Sequence, residues 1–211
     1  MGKKSLISIW DFTKEEILHV LETAKEFEQN KEQKFLEGKV IASLFFEPST
    51  RTRLSFTSAM MGLGGNVLGF SQAGNSSIAK GETVSDTVRM VDAYSDIIVM
   101  RHPKEGAPIV ASNVVNVPLI NAGDGGHFHP TQTLTDLLTI SREKDRLDNL
   151  TIGVCGDLKH GRTVHSLVEA MARYQNVKFV LISPEELKIP GFIRYNVLER
   201  HGIPYEEISS L

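Results

Sequence analysis

Val40-Ile41-Ala42-Ser43-Leu44-Phe45-Phe46-Glu47-Pro48-Ser49-Thr50-Arg51-Thr52-Arg53 decides the fold of this chain. The run 40–46 is apolar, β-branched or aromatic at most positions, and too short for a helix, so it reads as a buried strand. Pro48 breaks it, Ser49 and Thr50 are helix-starting residues, and the segment 51–63 follows with helical character until Gly64-Gly65 stops it. A buried strand feeding directly into a helix start is the unit from which parallel sheets are built.

The same alternation extends in both directions. Upstream, Thr13 and Glu16 form a capping box for an amphipathic helix whose apolar positions are Ile17, Leu18, Leu21, Ala24 and Phe27. Downstream come a strand at 67–70, a polar glycine-bearing loop at 71–82 and a helix capped by Ser85 and running to Tyr94. A strand at 97–100, a short helix at 106–112 and a strand at 117–121 follow. After the glycine-rich 123–126, a long helix runs from His129 to about Lys144, and the polar run 141–149 marks a boundary. Beyond it lie a strand at 151–156, a helix at 162–174, a strand at 178–182, a helix at 190–201 and a strand at 205–208. The expectation is an α/β protein of two doubly wound parallel-sheet domains, the first at 1–144 and the second at 145–211.

The bulk numbers exclude several function classes. With 211 residues and 41% hydrophobic content the chain has material for a real core. A formal net charge of −3 argues against broad binding to nucleic acid or anionic membranes, since no basic field covers the surface. No apolar run is long enough to span a bilayer and no signal peptide is recognisable, so a cytoplasmic location is expected. Cys155, the single cysteine, lies in an apolar run and reads as an inert core residue.

Three loops carry chemistry. In residues 47–53, helix-start N–H groups, the hydroxyls of Ser49, Thr50 and Thr52, and a guanidinium from Arg51 or Arg53 suit a tetrahedral oxyanion. The competing reading is an ordinary N-cap beside solvated arginines. In residues 123–132, glycines permit close backbone approach, while His129 and Gln132 offer an imidazole and an amide at a helix start. His127 and His129 alone make a poor metal site, and no metal is expected. In residues 75–83, Lys80 stands in a polar loop with Ser77. Arg101-His102-Pro103 ends a strand, and Arg162 stands at a helix start, where a cation is unfavourable unless an anion binds there.

Together these motifs resemble the carbamoyltransferase family. The run Ser49-Thr50-Arg51-Thr52-Arg53 is similar to its phosphate-binding signature, and His129-Pro130-Thr131-Gln132 resembles its carbamoyl-binding signature, with Arg101-His102-Pro103 between them in the family order. Lys80-Gly81-Glu82-Thr83, Thr131 before Gln132, and the stretch from Gly156-Asp157-Leu158-Lys159 to Arg162-Thr163-Val164-His165-Ser166 look like the aspartate branch rather than the ornithine branch. Two departures are visible. Gly126-His127-Phe128 stands where many members have Ser-Asn-Gln, and the loop after Asn75 is one residue shorter than in some relatives.

The resemblance implies transfer of a carbamoyl group from carbamoyl phosphate to L-aspartate, the committed step of de novo pyrimidine biosynthesis, with no cofactor. It implies that Ser49, Thr50, Arg51 and Thr52 hold phosphate, that Thr52, Arg101 and His129 donate to the carbamoyl oxygen, and that Gln132 holds the carbamoyl nitrogen. Ser77 and Lys80 would reach a neighbouring subunit's site in a homotrimer with shared active sites, and Arg162 would bind an aspartate carboxylate. A regulatory chain is a possible further partner. Because the family's second domain continues past the equivalent of Leu211, the second domain is expected to be incomplete here and the chain alone to turn over little aspartate. The alternative in another class is a non-catalytic carbamoyl-phosphate-binding or assembly protein of the same fold.

Overall fold

The computed structural model describes residues 4–30, 34–71 and 81–209. The helices are α1 (Lys14–Gln29), α2 (Thr50–Gly62), α3 (Val84–Asp92), α4 (Ala107–Ser112), α5 (Pro130–Lys144), α6 (Arg162–Met171) and α7 (Gly191–Ile193). The strands are β1 (Val40–Phe45), β2 (Asn66–Phe70), β3 (Ile97–His102), β4 (Leu119–Asp124), β5 (Thr151–Cys155), β6 (Lys178–Ile182) and β7 (Tyr205–Ile208). By contact density the chain forms two compact units. One comprises Met1–Asp11 with Glu22–Pro130, the other Phe12–Leu21 with Thr131–Leu211. The long helix α5, expected to end the first domain, therefore groups with the second unit from Thr131 onward.

The first unit is a four-stranded parallel sheet in the order β2-β1-β3-β4. Alternate residues of β1 point to opposite faces, and each face has its own core. Ala42 and Leu44 pack with Ile98, Met100, Val88, Val91 and Ala111, which places α3 and α4 over that face. Ile41 and Phe45 pack with Val99, Ala122 and Met60 of α2 on the other. Leu6 bridges to Ile120 beside β4. Since β2 lies on one side of β1 and β3 on the other, the chain reverses its direction of sheet growth at β1. In open parallel sheets ligands bind beyond the carboxyl ends of the strands at such a point. That crevice is entered by the β1–α2 loop and by the end of β3.

In the second unit three parallel strands run in the order β5-β6-β7. The capping box at α1 forms as expected: Glu16 N donates to Thr13 Oγ1 and Thr13 N donates to Glu16 Oε2. Buried Leu158, Val168, Met171, Phe179, Leu181 and Ile193 contribute to its core.

Some expectations are corrected. Cys155 is exposed rather than buried, because among the described residues β5 pairs on one side only, with β6, and Cys155 ends the strand. The cap of α3 is Thr83, whose Oγ1 accepts from Asp86 N, rather than Ser85, which lies inside the first turn. The expected helix at 190–201 is one short α segment followed by π-type turns at Arg194–Glu199, with Arg200 N donating to Tyr195 O five residues back.

Candidate functional site

Three sets of residues meet at the carboxyl end of the β1–β3 pair. The β1–α2 loop delivers the first. Ser49 is the N-cap of α2 in extended conformation, with φ −155° and ψ 100°, yet its hydroxyl makes no capping hydrogen bond. No acidic residue occupies the first turn of α2. The helix start therefore keeps its positive end and its hydroxyls available, an arrangement suited to an anion. Arg51 is exposed, and its guanidinium has no hydrogen-bond or ion-pair partner among the described residues. Arg53 points elsewhere. It lines a cavity of about 540 Å³ with Ser43, Thr57, Met61 and residues 67–71, so Arg51 is the guanidinium left at the helix start.

The second set is Arg101 at the end of β3. Its Nε donates to Glu47 Oε1 at 2.7 Å, and its Nη1 donates to Ala122 O at 3.3 Å. Phe46 N donates to Arg101 O at 2.9 Å, which ties the β1–α2 loop to the same strand end. A guanidinium has five N–H donors. Two are used among the described residues, so Glu47 and Ala122 O fix the plane of the fork while its Nη2 edge meets no hydrogen-bond partner among them.

The third set comes from the β4–α5 loop. Between Met100↔Asn121 and His102↔Asp124 the ladder slips by one residue, so β4 carries a bulge at Ala122 and Gly123. Gly123 has φ +117°, and a side chain there would stand 3.1 Å from Arg101 Nη1 and 3.4 Å from His129 Cδ2. The absence of a side chain at Gly123 is what lets the Arg101 guanidinium and the His129 ring converge. His129 itself is buried, only 8% exposed.

A buried carboxyl group braces this loop. Asp124, fully buried, accepts from Phe128 N at 2.9 Å and Asn121 Nδ2 at 3.0 Å through Oδ1, and from Gly106 N at 2.9 Å through Oδ2. His127 Nδ1 lies 3.3 Å from the same Oδ2, so this histidine serves the loop rather than a metal. Next to it, burial holds the pKa of His102 below the usual imidazole range, and its Nδ1 accepts from Lys104 N at 2.9 Å.

Gln132 lies in the first turn of α5, where its Nε2 donates to Asp136 Oδ1 at 2.9 Å. Arg162 opens α6, whose N-cap is Gly161. A side chain at Gly161 would come within 2.6 Å of Asp157 O, so the turn that presents Arg162 requires glycine. Ser77 and Lys80 lie outside the described residues. Among the described residues no group of three or more His, Cys, Asp or Glu is placed to hold a metal ion, and no helix is long and apolar enough to cross a membrane.

Of the residues the sequence singles out, Arg101 and His129 are brought together by the first unit. The sequence motifs gave Glu47 and Asp124 no role, and Asp136 lies outside them. Glu47 was recoverable, since an acidic residue beside a helix start otherwise offered to an anion calls for a cationic partner.

Residues 4–142 match the family model described as aspartate/ornithine carbamoyltransferase, carbamoyl-P binding domain. The chain is 61% identical over 210 residues to the aspartate carbamoyltransferase catalytic subunit of Lachnoclostridium phytofermentans, covering 99% of this chain and 68% of that relative. The catalytic subunit of Clostridium botulinum aspartate carbamoyltransferase is 58% identical, with the same coverage. Among solved structures, the catalytic subunit of M. jannaschii aspartate transcarbamoylase superposes with a TM-score of 0.92 at 50% identity, over 99% of this chain and 69% of that one. The Trypanosoma cruzi aspartate transcarbamoylase in complex with carbamoyl phosphate and aspartate gives 0.91 at 38% identity, over 100% of this chain and 68% of that one.

Proposed function

The chain belongs to the aspartate/ornithine carbamoyltransferase family, and from that premise we infer that it is a catalytic chain transferring the carbamoyl group of carbamoyl phosphate to L-aspartate. The similarity to aspartate enzymes along 99% of the chain favours this over a non-catalytic binder of the same fold and over the ornithine reaction. Its products are N-carbamoyl-L-aspartate and phosphate. The aspartate amine attacks the carbamoyl carbon, a C–N bond forms and the oxygen takes negative charge. The carbonyl then re-forms, the bond between the carbamoyl carbon and the bridging oxygen breaks, phosphate leaves with that electron pair, and the former amine gives up a proton.

The convergence of Arg101 and His129 over Gly123 carries this reading. A guanidinium and an imidazole held beside the same glycine suit a developing oxyanion, and a donor to such an oxyanion is typically worth about 10²–10³ in rate. Thr52 is assigned as the third donor. Ser49, Thr50, Arg51 and Thr52 are assigned to the leaving phosphate, where the open end of α2 and the unpartnered Arg51 guanidinium offset its charge. Gln132 is assigned to the carbamoyl nitrogen and Arg162 to an aspartate carboxylate. Ser77 and Lys80 are assigned to the active site of a neighbouring chain in a cytoplasmic homotrimer. No cofactor enters this scheme. The testing experiment is a carbamoyl-aspartate assay on protein of the relatives' full length that contains this chain, as wild type and as His129→Ala. Turnover that falls about 10²-fold or more in the variant supports the reading, and an inactive wild type or an unimpaired variant defeats it.

A further inference from the structure

The amide of Gln132 has two chemically opposite ends, a donating NH2 and an accepting oxygen, and an unconstrained glutamine presents either one. In this structure the choice is made inside α5. Gln132 Nε2 donates to Asp136 Oδ1 at 2.9 Å, one helical turn away, so the NH2 end is committed to the helix and the oxygen is the end left over. Asp136 is not a wet surface partner. It is half-buried, no cation pairs with it among the described residues, and Gln132 is its one hydrogen-bond partner there. Burial, the dominant influence on it, raises its pKa above the usual carboxyl range, while the Gln132 bond works the other way. A pair kept only for helix stability gains nothing from that desolvation.

We propose that Asp136 is a positioning residue for substrate specificity, which turns the Gln132 amide so that its oxygen accepts from the carbamoyl NH2 group. This rests on the carbamoyl-transfer reading above. The chemistry follows from what the two acyl phosphates offer. Carbamoyl phosphate presents N–H donors where acetyl phosphate presents a methyl group. A fixed acceptor gains a hydrogen bond from the first, and with the second it is left facing carbon. A site committed to a hydrogen bond discriminates against an analogue lacking it far more strongly than an adaptable one. Were the amide free to turn, its oxygen could leave the methyl group for another donor or water, and the preference would shrink.

The test compares the kcat/KM ratio for carbamoyl over acetyl phosphate, with aspartate as acceptor, in the same full-length protein as wild type, Asp136→Ala and Asp136→Asn. In Asp136→Ala the ratio is expected to fall by about tenfold, most of it from weaker use of carbamoyl phosphate. Affinity for inorganic phosphate stays unchanged, since the α2 start is not altered. Asp136→Asn keeps an oxygen that accepts the same bond, and so is expected to restore most of the preference. An unchanged ratio in Asp136→Ala overturns the proposal, as does an equal loss with both acyl phosphates. If Asp136→Ala does not fold, the Gln132 side-chain amide protons of the wild type decide by NMR. One slowly exchanging, hydrogen-bonded proton supports the pinned amide, and free exchange of both overturns it. A wild type without carbamoyl transfer defeats the functional reading instead, and that result is distinct from an active wild type whose Asp136→Ala variant keeps its preference.

Discussion

Arg101 Nε and Glu47 Oε1 stand 2.7 Å apart, and their side chains are only 13% and 25% exposed. With Nη1 on Ala122 O, this pair sets the plane of the guanidinium before any ligand arrives. Lysine carries the same charge on a flexible stem without the planar fork. Arg101→Lys is therefore expected to lower turnover by about 10²-fold while keeping the fold, by steady-state kinetics beside circular dichroism. Turnover within twofold of wild type would show that charge alone suffices and that the oriented fork has no role.

Gly123→Ala tests the convergence itself. The new methyl would meet Arg101 Nη1 at 3.1 Å and His129 Cδ2 at 3.4 Å, on a backbone with φ +117°. Holding a non-glycine residue in that region costs about 1–3 kcal/mol, and pushing either side chain by about 1 Å is enough for a 10²-fold rate loss. Thermal unfolding and kcat are both expected to fall. A variant with wild-type kcat would dissociate Arg101 and His129 from the reaction.

Arg51, exposed and with a guanidinium that has no partner among the described residues, is expected to matter for phosphate rather than for folding. Arg51→Ala should leave the melting temperature within a degree or so of wild type, in line with a surface change of about ±0.5 kcal/mol. Calorimetry should show carbamoyl phosphate binding weakened by at least about tenfold. Unchanged affinity would remove Arg51 from the site.

The sharing of sites between chains has a complementation test. Arg51→Ala and Lys80→Ala proteins are each expected to be nearly inactive. Mixed under conditions of verified subunit exchange, they should recover activity, because some hybrid sites combine an intact Arg51 with a neighbour's intact Lys80. Hybrids that stay inactive would mean that Lys80 serves its own chain.

Stability is expected to fall on mild acidification. Burial, the leading cause, lowers the pKa of both His102 and His165 in the folded state. Below about pH 6.5 the unfolded chain takes up protons that these folded imidazoles refuse. Their contribution to stability is thus present above the unfolded pKa and lost as pH drops toward the folded values. The melting temperature should decrease from about pH 7 to about pH 5.5, and less steeply in a His102→Asn, His165→Asn double variant. An equal slope in both proteins would assign the acid sensitivity to other groups.

The sequence by itself determined the order of strands and helices, the strand-to-helix loop that opens α2 and the identity of the residues at its start. Those features are local. An apolar β-branched run, a proline and a Ser-Thr pair act within a few residues of one another, and their spacing survives in a linear reading. Their limits show in Ser85, where Thr83 with Asp86 made the cap, and in the π-type turns at Arg194–Glu199, where a plain helix was expected. What the tertiary structure alone decided is the direction of each functional group. That Arg101 leans on Glu47, that a bulge puts Gly123 under both Arg101 and His129, and that Cys155 is exposed depend on which strands become neighbours and in what register. Strand pairing joins residues distant in the chain. One residue of slippage turns a side chain to the opposite face, and no local pattern records it.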